Sequence, residues 1–307
     1  MVKGQATPQM GVFQQAAKGG PMLYHVGRFE ESKFEIPDGF EKHSLGYKRV
    51  SLVDHSIGSV HTGLGICQLE ANGWVEYCVW ANEKGIYVLQ GEVEMLRGKE
   101  AFQLGTDDYA LIPYGVAHAF RNTGKLAVRW IEVQAPQPKP PGAWEDKFFR
   151  GDVDWPKEIV KPDPSNPSMH MVGHFEEQRP IYVKGLGMQG PAVYRFMEEE
   201  FGAHHFYMMR GKLEIGGGRG FADHPVEESY FVLSGEVEKE IEGKKFRLKA
   251  GDFAWAGVGA CHASVPKGDV PYRWIETQAP QFPKQHGART FAVWDKLRTS
   301  SSGEGKK

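Results

Sequence analysis

The sequence predicts an all-β chain built from two tandem units, and length, composition and an internal repeat carry that expectation. The chain has 307 residues, which at roughly 150 residues per domain is room for two working cores. Gly 38 and Pro 19, with aromatics at 12%, favour short strands broken by turns over long helices. The run Arg129-Trp130-Ile131-Glu132-Val133-Gln134-Ala135-Pro136-Gln137 returns as Arg273-Trp274-Ile275-Glu276-Thr277-Gln278-Ala279-Pro280-Gln281, displaced by 144 positions.

The same displacement maps Val88-Leu89-Gln90-Gly91-Glu92-Val93-Glu94 onto Val232-Leu233-Ser234-Gly235-Glu236-Val237-Glu238, His118 onto His262, His61 onto His205 and Leu69-Glu70 onto Leu213-Glu214. A lead-in echo sits slightly further apart, at 146 positions: Val26-Gly27-Arg28-Phe29-Glu30-Glu31 against Val172-Gly173-His174-Phe175-Glu176-Glu177. So long a period excludes a solenoid and indicates duplication of a whole folding unit. Between the copies lies a Pro-rich connector, Pro136 to Pro167, unable to sustain a helix or an inner strand. The expected units are therefore 1–150, an arm up to about Gly46 and the first barrel, and 151–307, the connector and the second barrel.

Within the second unit, Ser229-Tyr230-Phe231-Val232-Leu233 is rich in β formers, Ser234-Gly235 turns it, and Val237-Glu238-Lys239-Glu240-Ile241 alternates. Glu242-Gly243-Lys244 makes a hairpin, Lys245-Phe246-Arg247-Leu248 alternates again, and Ala250-Gly251-Asp252 turns into Phe253-Ala254-Trp255. About eight such strands close as a sandwich or barrel. Thr299-Ser300-Ser301-Ser302-Gly303 reads as a loose tail.

Charge narrows the partners. Lys+Arg 37 against Asp+Glu 39 leaves a net charge of −2, a poor match for nucleic acid or an anionic membrane. The three cysteines, Cys67, Cys78 and Cys261, are too few for a disulfide framework. The first residues lack an apolar signal core, and no window resembles a membrane span. The expectation is a soluble cytoplasmic chain with a small-molecule substrate as partner.

One constellation points to chemistry. The second unit reads Gly216, five residues, Ala222-Asp223-His224, three residues, Glu228, six residues, Gly235; then Gly251, five residues, Gly257-Val258-Gly259, two residues, His262. This resembles the two motifs of the cupin superfamily, with every spacing kept, with Ala222 where the first motif has its leading histidine, and with Gly257 and Pro266 where the second has proline and asparagine. The resemblance implies two tandem cupin barrels, that is, jelly-roll or double-stranded β-helix domains, and a divalent transition metal on His224, Glu228 and His262. On one continuous strand His224 and Glu228 would lie about 13 Å apart, too far for ligands that converge to about 2 Å from an ion. Pro225 relieves this by ending the strand directly after His224. Two imidazoles and one carboxylate then form a facial set with open positions, suited foremost to Fe(II), with Mn, Ni, Co or Zn also compatible. The plain alternative is a half-buried histidine beside a surface glutamate.

The first unit lacks the set. Cys78, Trp80 and Lys84 stand at the positions of Ala222, His224 and Glu228, and only His118 remains. A lysine brings a cation where a cation should bind, and indole has no lone pair for a metal, so this barrel is expected to be a plugged structural copy. Cys78 and His118 read as core residues rather than a nucleophilic pair. Around the expected site, alternation places His205, Tyr207, Met209 and Leu213 on one face. His205 is a candidate fourth ligand or pocket residue, with a structural histidine as the alternative because His61 persists in the copy without a metal. Tyr207 and Met209 replace Gly63 and Gly65 and are expected to line the pocket. Arg219, in a Gly-rich loop, is a candidate partner for a substrate carboxylate, with solvent exposure as its alternative. Glu227 reads as solvated and Cys261 as packing.

Two-domain cupins with one surviving site include ureidoglycine aminohydrolases and gentisate-type ring-cleaving dioxygenases. The resemblance therefore implies a metal-dependent enzyme acting on a small polar substrate, foremost a non-haem Fe(II) dioxygenase. Mn- or Zn-dependent hydrolase, lyase or isomerase chemistry is the alternative, and a non-catalytic binding cupin the third class. The long arm and exposed strand edges suggest a homo-oligomer.

Overall fold

The computed structural model describes residues 23–140, 145–163, 172–175, 181–182, 190–281 and 289–291. The expected tail and the first 22 residues of the arm lie outside them. The first half contains β1 (Tyr24–Arg28), β2 (Ser44–Val53), β3 (Gly63–Trp80), β4 (Glu83–Gln90), β5 (Val93–Arg97), β6 (Glu100–Leu104), β7 (Asp108–Ile112), β8 (His118–Arg121) and β9 (Val128–Ala135). Short strands β10 (Lys147–Phe149), β11 (Ile159–Val160), β12 (Val172–His174) and β13 (Ile181–Tyr182) follow. The second half contains β14 (Ala192–Met197), β15 (Tyr207–Leu213), β16 (Arg219–Asp223), β17 (Glu227–Ser234), β18 (Glu236–Ile241), β19 (Lys244–Lys249), β20 (Asp252–Ala256), β21 (His262–Lys267), β22 (Tyr272–Ala279) and β23 (Arg289–Phe291). The chain is all-β and forms two tandem cupin barrels.

The barrel strands of the two halves repeat in order, with one difference. Residues of β15 and β16 correspond to the two ends of the single long β3, so the first barrel is one continuous sheet and the second is divided into a sheet ordered β1-β20-β17-β22-β15-β14-β13 and one ordered β19-β18-β21-β16-β23. Among the described residues three large apolar clusters, with a small fourth around Leu96 and Ala119, hold the fold. One fills the first barrel around Trp130, Met95 and Phe120. A second fills the other barrel around Tyr230, Val237 and Trp274. The third lies between them and joins Leu52, Ile66, Tyr87 and Ile131 to Phe196, Phe206, Phe231 and Trp255. Burying each such side chain contributes about 1.5–3 kcal/mol, which binds the barrels into one body.

The lead-in echo acquires a physical meaning. β1 pairs with β20 of the second barrel, Gly27 opposite Phe253 and Arg28 opposite Asp252, while β12 pairs with β7 of the first, Gly173 opposite Tyr109 and His174 opposite Asp108. Each barrel thus takes its edge strand from the segment that precedes the other. Matching ion pairs fix both, Arg28 to Asp252 at 2.6 Å and His174 to Asp108 at 2.6 Å. Both lead-ins cross the boundary expected at residue 150, and β1, from the arm, pairs within the chain. Glycine is required at the crossing, since a Cβ on Gly27 would come within 2.5 Å of the Phe253 ring. Gly27→Ala should therefore destabilise the fold by about 1–3 kcal/mol through overpacking, read as a lowered midpoint in urea; an unchanged midpoint would mean that β1 is not held as described.

The Pro-rich connector also belongs to the first barrel. β10 pairs with the end of β3 and β11 with β6, and Trp155 lies against the Arg121 guanidinium at 4.0 Å. Both are short edge strands, as a proline-laden segment allows. No helix among the described residues is long and apolar enough to cross a membrane.

Candidate metal centre

β16 ends at Asp223, His224 follows, and the chain turns through Pro225 before β17 begins at Glu227. This is the break that the spacing of His224 and Glu228 requires. Glu228 lies in β17 opposite Gln278 of β22, and His262 opens β21 opposite Ala222. The donor atoms of His224, Glu228 and His262 lie within 4.8 Å of one another, and all three residues are buried.

The donor set fits a divalent cation. His262 Nδ1 lies 2.9 Å from the Ala260 carbonyl oxygen, which makes Nδ1 the protonated nitrogen and points the Nε2 lone pair inward. That Nε2 is 2.8 Å from Glu228 Oε2, so two acceptors face each other at a distance that only a cation, a proton or a metal, reconciles. Burial lowers the pKa of His224, which keeps its ring neutral as a ligand must be. Burial opposes ionisation of Glu228, but the His262 and His224 rings and the Arg219 charge hold its carboxyl well below the ordinary value.

A polar layer surrounds the three. Tyr230 donates to Glu228 Oε2 at 2.5 Å and lies 3.2 Å from His262 Nε2. Gln278 donates to Glu228 Oε1 at 2.6 Å and to Glu276 Oε1 at 2.6 Å, and Trp274 donates to Glu276 Oε2 at 2.8 Å. Lys239 is 1% exposed, with its ammonium 3.3 Å from the Tyr230 ring centre and 3.4 Å from Ser264 Oγ. Burial, then the Arg219 charge, brings its pKa down to about 7. Burial, then the Glu228 and Glu276 charges, raises the Tyr230 hydroxyl well above its ordinary value, so it remains a donor.

Arg219 joins this cluster. It lies on β16 with its side chain 17% exposed, donates to His224 Nε2 at 2.8 Å, and sits 3.6 Å from Glu276 Oε1 and 3.8 Å from Glu228 Oε1. Tyr207 lies half-buried opposite Gln278, in the cross-strand row of Glu228, with Arg195 5.7 Å from its ring. Met209, next on that face, is buried.

His205 is not brought to the three donors. Its ring packs edge-on against Tyr114 of the first barrel at 5.3 Å, and its backbone N–H donates to Glu83 Oε2 at 2.8 Å.

Glu227 corrects the expectation of a solvated acid: it is 2% exposed and accepts from Ser59 Oγ and from the backbone N–H groups of Val60, His61 and Thr62. His61 and His205 occupy matching turns whose backbone amides bind a glutamate of the other barrel. Cys261 is half-buried, and its N–H donates to Glu242 Oε1 at 2.6 Å.

In the first barrel the same positions hold other chemistry. The Lys84 ammonium lies 3.6 Å over the Trp80 ring and 3.7 Å from Glu132. Burial, then the Lys84 charge, takes His118 down to about 3, while burial raises the Cys78 thiol. A neutral ring beside an un-ionised thiol is core, not a nucleophilic pair.

Sequence reasoning passed over Tyr230, Lys239, Glu276 and Gln278. The signal was present, since Tyr230 alternates with Glu228, Lys239 sits between inward Val237 and Ile241, and Glu276 and Gln278 lie in the longest repeated run.

No curated protein sequence matches this chain. The family profile described as the cupin domain matches residues 81–134 and 209–277, one stretch in each barrel. The chain is similar in structure to the glyoxylate-induced protein of Pseudomonas aeruginosa, with a TM-score of 0.66 at 16% identity over 86% of this chain and 91% of that one. It is similar to a deletion mutant of Bacillus subtilis oxalate decarboxylase, with a TM-score of 0.61 at 15% identity over 87% and 79%. Salicylate 1,2-dioxygenase of Pseudoaminobacter salicylatoxidans, solved as adducts with gentisate, gives a TM-score of 0.63 at 13% identity over 84% and 81%. At such identities the likeness is one of fold, and chemistry must be argued from the site.

Proposed function

Because this chain belongs to the cupin superfamily as a two-domain cupin, we propose that it is a metal-dependent enzyme acting on a small polar substrate in its C-terminal barrel, of the non-haem Fe(II) dioxygenase type. The observation that carries the reading is the convergence of two imidazoles and one buried carboxylate within 4.8 Å, a donor set associated with open-faced Fe(II) sites.

His224, Glu228 and His262 would hold the ion. When bound, it supplies Lewis acidity and, as iron, the redox capacity that oxygenation needs. The chain's own residues do the rest. Gln278 and Tyr230 fix the Glu228 carboxylate by one hydrogen bond to each oxygen, and Ala260 fixes the His262 tautomer. Arg219, with Glu276 and Glu228 beside it, offers a charged fork for a substrate carboxylate or enolate. Trp274, Ala256 and Met209, all buried, keep bulk water from the cluster. Oxygen uptake by anaerobically Fe(II)-loaded protein with catechols, gentisate or β-diketones tests the reading, and a silent electrode with all of them counts against it.

One observation favours a second, non-redox reading. Lys239, buried beside the cluster with a pKa near 7, is poised to exchange a proton at neutral pH, as an aminohydrolase, lyase or isomerase with Mn or Zn would require. Under that reading Lys239→Met lowers kcat by about 100-fold or more while metal content stays unchanged. Oxygen-dependent turnover that survives Lys239→Met would leave only the first.

A further inference from the structure

We propose that the N-terminal barrel, whose metal ligands are gone, is itself a binding site: a metal-free pocket for a small carboxylate with a flat apolar body, clamped by Arg49. A cavity of about 160 Å3 opens there, with Phe40, Tyr47 and Trp80 on its walls and Arg49, Glu132 and Gln134 among its polar lining. A cavity of about 150 Å3 accommodates a benzene-sized molecule.

Arg49 is placed for this by sequence. Gly65 stands where the second barrel has Met209, and a Cβ there would fall 2.5 Å from the guanidinium carbon. The bare backbone therefore lets Arg49 lie across β3. Its Nε is buried with no hydrogen-bond partner, and its ion-pair neighbour among the described residues is Glu132, at 3.9 Å. An arginine at a barrel mouth whose buried Nε lacks a hydrogen-bond partner is suited to a planar anion.

Charge points the same way. Arg49 and Lys84 face one buried acid, Glu132, so the interior carries one surplus positive charge. At the rim Asp146 is tied to Lys139 at 2.5 Å and Glu145 to Lys147 at 3.4 Å, Asp38 is exposed, and Asp54, which accepts from Ser51 and Ser56, adds a half-buried negative charge on the Arg49 side. A buried cation offset only from a distance is costly, and one bound carboxylate in direct contact would balance it. The rings choose the rest of the ligand: Phe40 lies 6.1 Å from Trp80 at 21° and 5.3 Å from Tyr47, a wall for a flat apolar body.

The test is calorimetric titration of the full chain with benzoate, before and after metal removal by chelation. After metal removal one benzoate per chain is expected, and that site should keep the same affinity when metal is present. Benzamide, the neutral isostere, should bind at least tenfold more weakly, as should benzoate to Arg49→Gln. Lys84→Met removes the surplus charge without touching Arg49, should weaken benzoate similarly, and serves if Arg49→Gln does not fold. The proposal is overturned if benzoate, phenylacetate and nicotinate all fail to bind saturably, if binding disappears with the metal, or if folded variants bind as the parent does. Because the readout is metal-independent, loss of the C-terminal centre would leave it standing, and its own failure would leave the centre untouched.

Discussion

Glu228→Ala should empty the C-terminal barrel of metal. Atomic emission on purified protein is expected to fall from about one divalent ion per chain to background, with affinity lowered by more than about 100-fold, beyond the loss usual for an outer-layer change. Glu228 is the anionic member of the donor set. Without it, two imidazoles face Arg219, whose guanidinium already reaches His224 Nε2 at 2.8 Å, and the local charge turns against a dication. His262→Ala should behave alike. Gln278→Ala, which removes only the donor to Glu228 Oε1, should cost about 10–100-fold. The contrast lies in the first barrel: His118→Ala should leave metal content unchanged, because Lys84 occupies the place of the carboxylate. Metal that survives Glu228→Ala and is lost with His118→Ala would overturn the assignment.

The repeat made the architecture readable because a displacement kept over so many anchors leaves no room for different folds in the two halves. Pro225 made the turn between His224 and Glu228 readable, since proline ends a strand whatever surrounds it. What stayed hidden depended on which surface lies opposite. The lead-in echo announces a related strand in each half, yet a strand's alternation encodes its inward face and not its neighbour, so the exchange of β1 and β12 could not be read. Glu227 looked solvated because alternation turns it away from the barrel that holds Glu228; away from one barrel proved to be into the other. Arg219 looked like a loop residue because Gly216-Gly217-Gly218 precedes it and Gly220 follows, whereas β16 starts at Arg219 itself and draws its guanidinium to the buried acids.

Glu227→Ala should be the most destabilising single change in the interface. The carboxylate accepts from Ser59 Oγ at 2.6 Å and from the amides of Val60, His61 and Thr62 at 2.9, 3.1 and 3.4 Å. Truncation leaves the buried Thr62 amide and the part-buried Val60 and His61 amides without this acceptor and removes one of two acceptors of Ser59 Oγ, at a cost of about 2–3 kcal/mol, measured as a lowered unfolding midpoint at constant metal saturation. Glu227→Gln keeps an acceptor oxygen but sets an amide N–H against donors, so it should recover only part of the loss. Glu83 does the same for the other barrel, accepting from His204 and His205 at 2.8–3.0 Å, and Glu83→Ala should show a similar drop. Because Glu227 grips the first barrel and Glu228 faces the cluster on adjacent positions of β17, the two effects share one strand. Chelation should therefore lower the unfolding midpoint of the parent, as any ligand bound to the folded state alone requires. Glu227→Ala should weaken metal binding although its carboxylate lies outside the donor set. A variant with the parent's midpoint and metal affinity would show that the four contacts do not hold the barrels together.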